Sequence, residues 1–174
     1  VPAAWGFCYP SLKSLGLWFG DLQARVAQLR SWAMVEQPRV FWLAGFTYPT
    51  GFLTALLQTS ARKNGLAIDT LEFEFPVLTE PASDIKEHPK EGAYVSGLFL
   101  EGARWDGDGG VLTDPEPMQL FAPMPVVHFK PREVVKAAAK GVYSCPLYMY
   151  PVRTGTRERP SFMIPVELRA GAHD

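Results

Sequence analysis

The sequence predicts an α+β fold, with helices up to about residue 66 and strands from residue 67 onward. Two runs before residue 66 place apolar side chains at steps of three and four, which one helical face requires. After Leu66 the period changes to two: Leu71, Phe73, Phe75 and Val77 alternate with Thr70, Glu72 and Glu74, as in a half-buried strand. The 15 glycines and 16 prolines, more than a typical sequence of this length carries, imply many turns and short elements rather than one long helical bundle.

The first helix is expected from about residue 11 to 36. Ser11 follows Tyr9-Pro10 as a candidate N-cap, and Leu15, Trp18, Leu22, Val26, Leu29 and Ala33 form its apolar face. Its other face carries Lys13, Gln23, Arg25, Gln28 and Arg30; Gly16 and Gly20 weaken it locally, and Pro38 ends it. The stretch from Val40 to Tyr48 is too apolar for a surface loop, and its length allows either a buried strand or an irregular buried segment. A second helix is expected from about residue 49 to 64. Pro49 suits a first turn, Phe52, Leu53, Leu56, Leu57 and Ala61 form a stripe, Arg62 and Lys63 complement the helix dipole, and Gly65 can close the helix in a left-handed conformation.

Further strands are expected at 93–101, 125–130, 142–152 and 161–168, separated by segments rich in Gly, Pro and Asp. Residues 132–140, with Val134, Val135 and three successive alanines, are expected to form a short helix between strands. The polar stretch from Thr79 to Gly92 is expected to be a mobile loop.

A chain of 174 residues buries roughly 70% of its unfolded surface, and an apolar fraction of 47% with a net charge of −1 excludes a disordered chain. The near-zero charge provides no general attraction to nucleic acid or an anionic membrane. Cys8 and Cys145 are too few for a disulfide framework and read as reduced thiols. No window reaches the ~18 to 20 uninterrupted apolar residues of a membrane span, and Val1 to Pro10 lacks the basic region of a secretory signal, so a soluble intracellular protein is expected. The opening Val1 and the uncapped end at His173-Asp174 read as the limits of a segment from a longer chain.

Signatures of chemistry are absent: there is no G-x-x-x-x-G-K-[ST] loop, no G-x-S-x-G elbow, no H-E-x-x-H helix and no C-x-x-C pair. Asp106-Gly-Asp-Gly-Gly110 looks like the start of a calcium loop, but Val111 stands where the turn glycine is needed and Pro117 where the bidentate acid is needed, so a hairpin turn is expected. His88, His128 and His173 lack metal-ligand spacing. Cys145 has no basic neighbour in sequence to activate it. Aromatic and basic residues could suggest single-stranded nucleic acid on a barrel face, but Glu72, Glu74 and Glu101 would repel phosphate there. In Gly97-Leu-Phe-Leu-Glu-Gly-Ala-Arg-Trp-Asp106, Gly102 permits a bend after which Arg104 and Trp105 project from the sheet edge, and Phe99 is a candidate core ring.

That segment, with Tyr9-Pro-Ser-Leu-Lys13, Phe41-Trp-Leu-Ala-Gly-Phe46, Pro49 and Gly51-Phe-Leu-Thr54, Ala61-Arg-Lys63, Ile68-Asp69 and Tyr143-Ser-Cys-Pro146, resembles the ordered motifs of the C-terminal domain of dynein heavy chains, the axonemal members more closely than the cytoplasmic ones. The resemblance implies a helical part over 1–66 and a mainly antiparallel β-barrel over 67–174. Members of the family continue through a Trp-containing strand to an Arg-Gly-Val-Ala-Leu-type end, so it also implies a barrel left incomplete within these residues. Functionally it implies a non-catalytic module, without cofactor of its own, that lies on a ring of AAA+ modules where the parent polypeptide binds ATP and Mg. The AAA+ ring of the same heavy chain is the expected partner; other dynein subunits and the microtubule are reached only through the parent polypeptide, in the cytoskeleton of a cilium or flagellum. Neither nucleic acid nor membrane is expected as a partner. Lys13, Arg25 and Arg30 on the first helix and the Arg104-Trp105 corner are the candidate ring-docking residues. The alternative is a free-standing β-barrel enclosing a small apolar ligand, which needs an open interior.

Overall fold

The computed structural model of the protein describes residues 3–4, 14–134, 141–150 and 163–171. Helix α1 spans Leu15–Met34 and α2 spans Pro49–Asn64. Between them, Val40–Trp42 forms strand β1 and Leu43–Gly45 a single 3₁₀ turn, so the apolar stretch after α1 is part strand and part irregular. Pro49 opens α2, and Gly65 closes it at φ 67° with its N–H on the carbonyl of Ala61, as the sequence predicts.

The remaining strands are β2 (Leu71–Glu74), β3 (Ala93–Ser96), β4 (Phe99–Glu101), β5 (Arg104–Asp106), β6 (Val111–Thr113), β7 (Phe121–Pro123), β8 (Val127–Glu133), β9 (Val142–Tyr148) and β10 (Met163–Arg169). They form one sheet ordered β1-β3-β8-β2, another ordered β10-β9-β4-β7, and the β5-β6 hairpin. The pairing is antiparallel except for β1 on β3, where Phe41 lies opposite Val95. The fold is therefore α+β and mainly antiparallel, but among the described residues the sheets do not join into a closed barrel. Strand β1, from the helical first part, forms an edge of the first sheet.

Several local expectations are corrected. The strand expected over 93–101 is broken at Gly97, whose φ of 77° turns the backbone between β3 and β4. Residues 132 and 133 end strand β8 rather than start a helix, and 135–140 lie outside the described residues. Residues 79–92 contain no helix or strand, yet they are pinned rather than free. Ile85 is buried, the carbonyl of Lys86 accepts from Arg39, and that of Glu91 lies 2.8 Å from His128 Nε2. Asp106 to Gly110 makes the expected hairpin turn, with the Gly110 N–H donating to the Asp106 carbonyl.

The two larger sheets share one core, in which Val95, Val127 and Phe129 of the first meet Leu100, Leu147 and Val166 of the second beside Leu43 and Leu53. Phe99 is only half-buried, because strand alternation turns its neighbours Leu98 and Leu100 into the core instead. Arg132 Nη2 links the sheets, 2.9 Å from Glu72 on β2 and 3.5 Å from Glu167 on β10. Within the β9-β10 ladder Pro146 lies opposite Pro165. Two residues without N–H groups can face each other only at a pair that exchanges no hydrogen bonds, so Pro165 turns its missing donor to the open edge of β10 and blunts it.

Candidate functional site

Helix α1 is seated by Trp18 of its expected apolar face together with Arg25 and Gln28 of the face expected to be solvated, whose Gln23 and Arg30 are exposed. The Gln28 side chain donates to the carbonyl of Trp42 (3.2 Å) and accepts from its N–H (2.7 Å), so one amide serves both backbone groups of a strand end. Arg25 donates to the Thr47 hydroxyl. Trp32 packs edge-on against Phe41 at 5.0 Å, and the rings of Phe41, Phe46 and Phe52 continue the cluster down to α2. Trp18 is buried.

The stripe that amphipathicity would place inside is outside. Leu15 is 55% exposed, Val26 54% and Leu29 36%; Ala33 is exposed and Leu22 half-buried. At 100° per residue, the stripe lies about a quarter turn from the line through Trp18, Arg25 and Trp32. Along that line Trp18 is buried, Arg25 half-buried and Trp32 packed on Phe41 while still 39% exposed, so seating α1 there leaves an apolar surface uncovered.

The expected docking residues divide between elements. Lys13 lies outside the described residues. Arg25 is half-buried and engaged with Thr47, while Arg30 is exposed. Arg104 and Trp105 come together on β5, but Arg104 Nε lies 3.3 Å from Glu116 and Trp105 is half-buried against the core rather than projecting from it. Arg25 and Arg30 share α1 but lie on different faces of it, and Arg104 and Trp105 share β5; α1 packs on the 3₁₀ turn whereas β5 packs on β6 and β7. Sequence reasoning missed Gln28, Trp32 and Trp42. Trp42 and Gln28 could have been noticed only as a polar side chain and a strand end whose pairing depends on tertiary contact.

Among the described residues, burial shifts two titratable groups, Cys145 and His128. Burial pushes the Cys145 thiol up, keeping it protonated. Burial is also the main cause lowering His128, which outweighs the raising effect of its contact with the Glu91 carbonyl. Among the described residues no three His, Cys, Asp or Glu side chains gather where they could hold a metal ion, and no helix is long and apolar enough to cross a membrane. A cleft of about 900 Å³ lies between β2, the end of β10 and the β5-β6 hairpin, and Glu72, Glu74, Arg132, Glu167 and Arg169 line it with Trp105. That charged lining differs from the enclosed apolar interior that a barrel for a small apolar ligand needs.

The family model for the C-terminal domain of dynein heavy chains matches residues 1–174. The sequence is 59% identical over its whole length to the Chlamydomonas reinhardtii dynein-1-beta heavy chain of the flagellar inner arm I1 complex, of which it covers 4%. It is 52% identical over 99% of its length to human dynein axonemal heavy chain 2, again covering 4% of that protein. Over 85% of its length it is 43% identical to the Chlamydomonas reinhardtii dynein beta chain of the flagellar outer arm, covering 3% of it.

Proposed function

Because the protein belongs to the family of C-terminal domains of dynein heavy chains, we propose that it is a non-catalytic module that docks on the AAA+ ring of its own heavy chain and modulates ATP-driven, minus-end-directed movement along microtubules. ATP and Mg act in the ring, not in this domain, and the microtubule and other dynein subunits are engaged through the parent polypeptide. The names of the relatives, flagellar and axonemal, support an axoneme of a cilium or flagellum as the place of work.

One observation carries the reading. The domain has a packed core of its own and yet leaves Leu15, Val26 and Leu29 uncovered along one helix, which costs hydration free energy unless another surface covers them. A module without chemistry influences a motor through differential contact with the ring's states, since equal affinity for two states shifts neither. The family's barrel corresponds in this reading to the two four-stranded sheets, which share a core and are tied by Arg132.

The test is single-particle imaging of the intact heavy chain with and without residues 1–174. Density of this size lost from one face of the ring supports the reading; density lost elsewhere, or none lost, overturns it.

A further inference from the structure

The exposed stripe of α1 is more regular than a generic apolar surface. Leu15, Phe19, Leu22, Val26, Leu29 and Ala33 follow one another at steps of 4, 3, 4, 3 and 4. This is a heptad seam: leucine occupies each d position (Leu15, Leu22, Leu29), and Phe19, Val26 and Ala33 occupy a. Phe19 is 51% exposed and belongs to the same uncovered surface. An amphipathic helix seated on a globular core needs only a broad apolar face, whereas spacing of about 3.5 residues keeps a narrow seam in register with a second helix.

The flanks differ. On one side Trp18, Arg25 and Trp32, the g positions, belong to the seated face. On the open side Gln23 and Arg30, at e, are exposed, and the only acid of α1 is Asp21, at c. Arg30 is therefore the one charge at the e positions of the open flank.

The geometry points to α1 docking by helix-on-helix packing, its heptad seam covered by an amphipathic helix of the same heavy chain, outside residues 1–174, that carries an acidic residue facing Arg30. This rests on the ring-docking reading and names the surface that performs it. The relatives carry about 96% of their length outside the matched region, given the 4% covered, so a partner within the same polypeptide is available at high effective concentration. A second copy of α1 fits less well. Parallel pairing would set Arg25 of one helix beside Arg30 of the other, and either orientation supplies no acid to the open flank.

The experiment uses the intact heavy chain bearing Val26→Cys, on the seam, or Ala24→Cys, on the opposite exposed side of α1. Each is alkylated with N-ethylmaleimide and followed by mass spectrometry of the α1 peptide. Val26→Cys is expected to react about ten-fold more slowly than Ala24→Cys, since reaction must wait for local opening. A photoreactive benzoylphenylalanine at Leu29 is expected to cross-link to a helix of the same polypeptide outside residues 1–174. A cross-link to α1 of a second copy, to a separate polypeptide, or within residues 1–174 overturns the assigned partner. Equal alkylation rates, with the domain imaged on the ring, overturn the seam while ring docking stands. A domain absent from the ring overturns both.

Discussion

The side-chain amide of Gln28 and the backbone of Trp42 satisfy each other reciprocally, at 2.7 and 3.2 Å, across 14 residues of sequence. This pair joins α1 to the end of β1, where the sheet's own hydrogen bonding stops. Close approach of Gly45 completes it: a methyl group there would lie 2.9 Å from Gln28 Nε2 and 3.0 Å from the Trp42 ring.

Gln28→Leu should leave a part-buried N–H and C=O without their partner and cost about 1 to 3 kcal/mol. Urea denaturation followed by Trp fluorescence measures it, and hydrogen exchange should show α1 loosening more than β8. Gln28→Glu keeps the acceptor but sets a carboxylate oxygen against the Trp42 carbonyl, so at neutral pH it should cost at least as much as Gln28→Leu.

Gly97→Ala should be among the most damaging single substitutions. The φ of 77° strains any L side chain there, and the added methyl would meet Trp42 Cδ1 at 2.4 Å. A loss of about 2 kcal/mol or more is expected in the same denaturation measurement. Gly102→Ala, at φ 69° but with no atom within 4 Å of the added carbon, should cost clearly less.

Leu100→Ala should cost about 2 to 5 kcal/mol, because the side chain is wholly buried between the sheets. Phe99→Ala should cost less than Leu100→Ala, since Phe99 is only half-buried. A larger loss in Phe99→Ala than in Leu100→Ala would show that the strand is turned the other way.

His128 gives a pH dependence of defined sign. Burial lowers its pKa in the folded state, so the unfolded polypeptide binds the proton more readily. The stability contributed by neutral His128 is present above the unfolded value of about 6.5 and is lost as pH falls from there through the lower folded value. Denaturation midpoints measured between pH 7.5 and 5 should fall with acid in wild type, and the fall should be smaller in His128→Gln.

What was legible in the sequence followed from local chemistry. Pro49, Gly65 and the stripe between them located α2 and both its ends, because caps and periodicity act within a few positions. The turn from Asp106 to Gly110 was equally readable. The short strands β5, β6 and β7 were not, since three residues carry too little periodicity. For α1 the pattern was correct, but of the face it was expected to bury only Trp18 is fully buried. Leu15, Val26 and Leu29 do share a face, but Gln28 and Trp32 find their partners on Trp42 and Phe41, and that tertiary choice turns the stripe outward. The same limit applied to Arg25, read as a free docking charge and found engaged with Thr47. Arg30 is the cleaner site for charge reversal.

Arg30→Glu should therefore perturb docking without disturbing the α1 seat. The effect should be small, about 0 to 1 kcal/mol for an exposed charge, and should shrink at high salt. Run length and force of the intact motor, measured at two ionic strengths, check it against Arg25→Glu, which also removes the bond to Thr47.

The central claim, that a domain without chemistry modulates the motor by docking on its ring, is tested most directly by deleting residues 1–174 from the intact heavy chain. ATPase rate, stall force and run length are measured on single molecules whose ring remains folded. The account predicts that force or run length changes although no nucleotide site has been removed. Wild-type values for all three quantities would contradict it and reduce the domain to passive packing.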